Sequence, residues 1–416
     1  MSYRHGVYVQ EAATRLVTPA TAEATLPVVI GTAPVHNLPE GVEVPVNKPV
    51  LVHNLDAFKA AFGDVPEGEN PENYTLTQAA EVYLERYAVE PLVAINVFDP
   101  AIHKDGEDNP DVTQVRDVDI VGGVNAQRVR SGIALVHEIF PRFRLTPATL
   151  LAPKYSGDPT VAIALAAAAR EVSGFFRAHA VIDVPDEVPD YTQVAAWLND
   201  NNLTQHNMSC VYGNCLYAGR VEPGSIHFAG CCGVRDTASD DVPYWSPSNT
   251  SLLCEGLVHA GRELHLTAEE AAYLNGNGIV TGLNMIGGLK CWGDQTACYP
   301  GVTDVKDSSI PIRRMFNWIG NTLIKTSWQF VSSPLRRRLV ETVQDTFNCW
   351  LNGLTAREYI LGGRVTFEIV DNPTLDLLDG KVRWHVYVSP PPAARELDFI
   401  LEYDPDYLDT LFGSNA

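Results

Sequence analysis

Asp99 and Asp183 are the two carboxylates whose surroundings could support catalysis. Each closes an apolar, β-branched run, LVAINVFD at 92–99 and AVIDVP at 180–185. Both are therefore expected at the carboxyl ends of parallel strands, where α/β enzymes keep their acids and bases. Pro100 follows Asp99 directly and Pro185 lies two residues beyond Asp183, so a cap or turn role explains either carboxylate equally well. Cys210, Cys215, His227, Cys231 and Cys232 can be drawn as a zinc cluster, but their spacing matches no common tetrahedral site, and buried thiols are the default reading. His137, His179 and His259 each stand alone among apolar neighbours and read as satisfied histidines rather than bases. The glycines Gly276, Gly278 and Gly282 of GNGIVTG lack the spacing of a dinucleotide fingerprint and precede a strand, which makes a turn the better reading. P-loop, HExxH, CxxC and GxSxG patterns are all absent from the sequence. No catalytic, cofactor-binding or metal-ligating residue is assigned, and no cofactor is expected. The rival reading is an α/β enzyme using Asp183 or Asp99 with a cysteine or histidine.

The elements that must position any site alternate between the two periodicities. An apolar strand at 26–31 leads to a second at 49–53 and to a helix from Asn54 or Leu55 to Phe62, stopped by Gly63. A helix over 75–87 and a buried strand at 92–99 follow, so strand, helix and strand predict a parallel sheet. A second βαβ unit reads TLLAPK at 149–154, an alanine-rich helix over 158–178 and AVIDVP, extending the same sheet by a right-handed crossover. Between these units, 100–127 reads as a small β-rich excursion on the surface. CVYGNCLYA at 210–218 and SIHFAGCCG at 225–233 both read as β segments, while 252–264 and 268–275 look helical. After Pro300, two helices over about 311–331 and 335–353 precede strands at 364–370 and 381–389, which predicts a separate α+β domain. The expected organisation is an N-terminal arm 1–18, an α/β main domain 19–300, a C-terminal α+β domain 301–392 and a C-terminal arm 393–416.

A chain of 416 residues exceeds the usual limit for one hydrophobic core, and 45% hydrophobic residues suffice for two or three. The formal charge of −21 argues against nucleic-acid binding and suits a particle that must stay dispersed before assembly. No apolar run approaches eighteen residues and the start MSYRHGVYVQ lacks the apolar centre of a signal peptide, so the expectation is a protein made in a cytoplasm without membrane insertion. Eight cysteines without a regular framework fit reduced thiols.

Both ends of the chain read as strands that leave their own fold. RELDFILEY at 395–403 places Leu397, Phe399, Leu401 and Tyr403 on one face at period two. It follows Pro390, Pro391 and Pro392, a stiff spacer that forbids a tight hairpin. Gly6, Val7, Tyr8, Val9, Gln10 and Glu11 form a similar arm at the N-terminus. Such arms can lend strands to neighbours, and a head-to-tail contact of that kind builds an open helix. A closed ring whose arms pair within a finite particle is the structural alternative. A basic island also stands out: from Ser308 to Val340 there is no Asp or Glu, yet Arg313, Arg314, Lys325, Arg336, Arg337 and Arg338 are present. It reads either as a solvated face or as a contact for an acidic partner.

HGVYVQE at the start, LPVVIGTAP at 26–34, NKPVLVHNLDAFKAAFG at 47–63 and TLLAPKYSGDPTVAIALAAAARE at 149–171 resemble contractile tail sheath proteins. VIDVPD, YWSPSN, LNGNGIVTGLN, KCWGDQTA, IPIRRMFNWI and the terminal PAARELDFILEYDPDYLDTLF extend the resemblance in the same order over nearly the whole chain. The resemblance implies a subtilisin-like α/β main domain, with likeness of fold only since no protease triad is visible, and a C-terminal domain lying innermost against a tail tube. It further implies a helical homo-oligomer whose arms add strands to neighbouring subunits. Tail tube, baseplate and tail terminator proteins would be its partners. The particle would be a virion tail or an extracellular contractile device assembled in a bacterial host cytoplasm. Under it, the tube contact falls first on Arg336, Arg337 and Arg338 and second on Arg313, Arg314 and Lys325. The 100–127 excursion would stand where larger sheaths carry an outer decoration domain.

Overall fold

The computed structural model describes residues 19–412. Its main sheet has eight strands: β1 (Pro27–Gly31), β2 (Pro49–Val52), β3 (Leu92–Asn96), β4 (Thr149–Leu151), β5 (His179–Asp183), β6 (Met208–Tyr212), β7 (Ile279–Met285) and β8 (Gly288–Trp292). They lie in the order β8-β7-β6-β5-β4-β1-β3-β2. The inner strands are parallel, and β1, β3, β5 and β6 are buried along their full length, as expected of strands covered on both faces. The two edge strands run antiparallel to their neighbours. The helix Leu55–Phe62 begins where the Asn54 side chain accepts from the Ala57 N–H at 2.8 Å and ends at Gly63, whose φ of 86° suits glycine. Asp158 starts the helix Pro159–Arg170 by accepting from the Thr160 N–H at 2.7 Å.

Several sequence expectations are corrected. SIHFAGCCG is not a strand but part of the helix Gly224–Thr237, in which nearly every side is buried, so no apolar stripe betrays the helical period. Two of its glycines are required by close packing: a Cβ on Gly230 would stand 2.5 Å from the Tyr87 ring, and one on Gly233 2.8 Å from Val89. The 252–264 segment is not helical but holds the strands Gly256–His259 and Arg262–Glu263. With Asn214–Tyr217 and Arg220–Glu222 they form a small antiparallel sheet. The 158–178 helix stops at Arg170, and the Val172–Phe176 turn returns the chain to β5. The 100–127 excursion is mostly turns and short helices, its β content being Gly123–Val124, paired with Arg130–Ser131 beyond it, and the single antiparallel bridge Lys104–Pro110. Asx turns at Asp105, Asp111 and Asn125 satisfy the backbone that a sheet would otherwise have to pair.

After the main sheet come the helices Ile310–Ser327 and Arg337–Ala356 and the hairpin β9 (Gly362–Thr366) and β10 (His385–Ser389). They build a second core from Met315, Trp318, Ile319, Val343, Phe347, Leu351 and Val365, to which Ala22 and Ala24 also belong. Residues 20–24 run along the long helix rather than into the main sheet: the Ala20 and Ala22 N–H groups donate to Thr326 and Thr322 Oγ1, each at 3.0 Å, and Trp318 Nε1 donates to the Ala22 carbonyl at 2.8 Å. The N-terminal arm residues Gly6, Val7, Tyr8, Val9, Gln10 and Glu11 lie outside the described residues. No helix among the described residues is long and apolar enough to cross a membrane.

Candidate functional site

Each residue offered for catalysis is committed to the fold. Asp183 ends β5 and accepts from the Ser225 N–H at 2.7 Å and the Ser225 hydroxyl at 2.6 Å, at the start of the helix Gly224–Thr237; the Ser156 hydroxyl lies at 3.3 Å. Burial pushes its carboxyl up to about 6, with the Ser225 contacts pulling the other way. Asp99 caps a turn, accepting from the Ala101 N–H at 2.9 Å. Among the described residues no histidine or cysteine hydrogen-bonds either carboxylate, so no activated nucleophile is assembled there. His179 meets the Ser209 hydroxyl at 2.8 Å, His259 meets the Val188 carbonyl at 2.8 Å, and His137 Nδ1 accepts from the Ser173 N–H at 3.0 Å. His227 turns to Glu222 at 3.0 Å, not to the cysteines, and Arg86 completes that buried trio. All eight thiols are free, six of them buried.

The long helix Ile310–Ser327 is the seam between the two cores, and it absorbs half of the basic island. Arg314 is 5% exposed and donates to both carboxylate oxygens of Asp236 on the helix Gly224–Thr237, as well as to the Ala24 carbonyl at 3.2 Å. Arg313, 4% exposed, pairs with Asp307 at 3.0 Å. Lys325 holds Glu23 at 2.9 Å with its side chain largely covered. All three candidate tube-contact residues thus have their charges paired inside the chain, Arg313 and Arg314 buried and Lys325 largely covered. Arg336, Arg337 and Arg338, at the start of the helix Arg337–Ala356, are exposed. Arg337 pairs with Glu341 one turn on, and Arg336 and Arg338 form no ion pair among the described residues.

The hairpin offers a strand edge on one side only. Asn348 reaches from the helix Arg337–Ala356 to β9, donating to the Val365 carbonyl at 3.1 Å and accepting the Val365 N–H at 2.7 Å. Its amide thus stands in for a neighbouring strand and closes that edge. Val365 lies opposite Val386, and because Val365 points both backbone groups outward, the pair is a non-hydrogen-bonded one. Val386, and Val388 two residues on, must then also direct their N–H and C=O away from the hairpin, on the open side of β10. The C-terminal arm that leaves this hairpin has no strand of its own. After Arg395, which donates to Asp294 Oδ2 at 2.9 Å, it runs as an extended segment with Leu397, Phe399, Ile400, Leu401 and Tyr403 at least 74% exposed. Period two cannot make a strand where no edge lies alongside.

A further exposed apolar group escaped the sequence reading. Ile369, Val370, Leu375 and Leu378, in the connection between β9 and β10, are each 79% exposed or more. Four large apolar side chains within ten residues of a proline- and aspartate-bearing connector were the available signal.

The similarity to known proteins runs over nearly the full length of the chain. No family model matches the chain. It is similar to the tail sheath protein of Burkholderia phage BcepMu, 25% identical over 100% of this chain and 99% of that protein. It is also similar to a putative prophage major tail sheath protein of Pseudomonas aeruginosa, 23% identical over 98% of each. Among solved structures, a chain of the anti-feeding prophage helical sheath in its contracted state shares the fold with a TM-score of 0.67 and 16% identity, covering 97% of this chain and 100% of that one. A chain of the contracted PVC sheath complex, from an extracellular contractile injection system, gives 0.66 at 14% identity over 98% and 99%.

Proposed function

We propose that this chain, a member of the tail sheath family, is the structural subunit of a contractile sheath that polymerises helically around a tail tube and shortens to drive the tube through a target cell envelope. The observation that carries this reading is a mismatch among the described residues: an apolar arm with no edge to join, and a β10 edge with no strand to receive. Each supplies what the other lacks if the arm of one copy adds to the hairpin of another. The N-terminal arm, Gly6 to Glu11, is assigned the same linking role; its root at 20–24 is pinned to the long helix. The role is structural rather than enzymatic, with Asp183 and Asp99 holding the fold.

Contraction follows from the two-core construction. Arms keep subunits connected while the larger faces move as rigid bodies and bury more surface. A gain of only ~200 Å² of apolar area per subunit yields roughly 5 kcal/mol, summed along the whole sheath. No nucleotide is needed. The likeness of the larger domain to a subtilisin-type fold, the 1–18, 19–300, 301–392 and 393–416 division, the tube, baseplate and terminator partners, and assembly in a bacterial cytoplasm before use on a phage tail or extracellular particle all belong to this proposal. Of the basic island, Arg336, Arg337 and Arg338 remain as the place for an acidic partner surface of the assembly.

Electron microscopy of the purified chain with and without its tube protein tests the reading. Hollow, helically striated tubes are expected. A chain that stays a monodisperse particle with tube and baseplate present would overturn it in favour of a closed oligomer or an enzyme.

A further inference from the structure

Beside the hairpin, the helix Arg337–Ala356 and the β9–β10 connection enclose an open groove of about 560 Å³, lined by Phe330, Leu335, Leu339, Leu378 and Trp384. Its walls are mostly apolar, and the exposed Arg336, Arg337 and Arg338 stand in sequence between two of its lining residues, Leu335 and Leu339. It also contains an unmet need. The Trp384 Nε1 donor is buried and has no hydrogen-bond acceptor among the described residues, a loss that a native surface normally repairs.

We propose that this groove receives the last segment of the chain, Tyr403 to Phe412, from a second copy, an inference that rests on the sheath reading above. The chemistry of that segment, YDPDYLDTLF, mirrors the groove: Asp404, Asp406 and Asp409 answer the three arginines, while aromatic and leucine residues answer the apolar walls. In a single chain Tyr403 is 77% exposed, and Leu408 remains about half exposed.

The geometry of strand addition delivers the segment to this place. Val388 and Val386 hold the open edge of β10, and Trp384 continues the same outward-facing series by period two. An arm added antiparallel along Leu397–Leu401 travels from the Ser389 end of β10 toward His385, so the residues after Tyr403 arrive at Trp384. Pro405, which has no N–H, ends the ladder at that point and frees the chain to turn into the groove. The chain's own tail cannot follow this route. It departs from the end of β10 itself through Pro390, Pro391 and Pro392, and Arg395 ties it to Asp294 of the larger domain. The occupant is therefore a neighbour's tail, and the acidic partner of the three arginines is this chain rather than the tube.

A fluorescein-labelled peptide of residues 402–412, titrated onto the full-length chain and followed by anisotropy, measures the contact without requiring tubes. Saturable binding is expected, weakened roughly tenfold or more by Arg336→Glu, Arg337→Glu and Arg338→Glu together, since three screened charge pairs are reversed. Leu378→Glu, in an exposed position, is expected to weaken it as well. Absent binding, or binding indifferent to both variants, overturns the proposal. In assembly, the triple arginine reversal is expected to abolish tubes and Asp404→Lys, Asp406→Lys and Asp409→Lys to restore them when combined with it. If the reversed arginines bind the peptide normally yet lose the tube protein, the arginines face the tube and the proposal falls. The sheath reading itself fails separately, by the unaltered chain never polymerising whatever the peptide does.

Discussion

Arg314 and Asp236 meet across the boundary between the two cores, the guanidinium of one helix donating to both carboxylate oxygens of another, with neither side chain more than 5% exposed. Burial pushes the Asp236 carboxyl up to about 6 against the opposing pull of Arg314, so the pair is ionised at neutral pH. This contact also gathers the Ala24 carbonyl, and with it ties the entering chain, the main domain and the long helix at one point.

Removing one partner strands a buried charge. Asp236→Ala is expected to cost about 3–5 kcal/mol, whereas replacing both residues by apolar ones, Asp236→Leu with Arg314→Met, costs far less because no charge is left unpaired. Urea unfolding followed by circular dichroism separates the two. Equal losses in single and double variants would show that the pair is a packing feature and not an electrostatic one.

Acid should loosen the protein through His179. Burial, reinforced by Arg314 and Arg313, lowers its pKa from 6.5 to about 3, so the folded chain binds fewer protons than the unfolded one between those values. Its contribution to stability is complete above pH 6.5 and drains as pH falls toward 3, by roughly 3 kcal/mol at pH 4. His179→Gln should shrink the difference in unfolding free energy between pH 7 and pH 4, and an unchanged difference would remove His179 as its source. Asp183 acts with the opposite sign. Its raised pKa of about 6 makes its contribution fall as pH rises from about 4 to 6, a slope that Asp183→Asn should remove.

Gly230 tests the helix that the sequence disguised. Alanine ordinarily favours a helix by about 1 kcal/mol over glycine, but here the new Cβ must displace the buried Tyr87 ring. A net loss of about 1–3 kcal/mol is expected, seen as a lower melting temperature. A rise in melting temperature would mean that Tyr87 can move aside.

The arm should matter to assembly and not to folding. Deletion of 395–416 removes a segment whose side chains are exposed from 395 to 408, none of which belongs to either core. The shortened chain is expected to keep its thermal transition and to form no tubes on sedimentation. Normal tubes from it would remove the arm from the mechanism.

Asn348 allows a sharper version of that test. Because its side chain closes the β9 edge at Val365, Asn348→Leu should free that edge without touching β10. The expected outcome is off-pathway aggregation during assembly, read by light scattering. Clean tubes at normal yield would show that β9 is closed by something besides Asn348.

Local signals of the sequence were enough for much of this architecture. The apolar runs at 26–31, 92–99 and 180–185, the helix start at Asn54 or Leu55 and the Gly63 stop are properties of neighbouring residues, and the strands Pro27–Gly31, Leu92–Asn96 and His179–Asp183 and the helix Leu55–Phe62 begin at or within a residue of those places. The period-two apolar face of 395–403 and the proline spacer before it were equally legible, since alternation and missing N–H groups need no partner to be seen. Tertiary structure alone decided the rest. The helix Gly224–Thr237 is buried nearly all round and so carries no stripe, and its packing is set by Tyr87 and Val89, which lie far from it in sequence order. Arg313, Arg314 and Lys325 belong to one basic run with Arg336, Arg337 and Arg338, yet Asp307, Asp236 and Glu23 neutralise the first three while the last three face solvent. A charge is free or spent according to what packs against it, and for Arg314 and Lys325 that neighbour comes from a distant part of the chain.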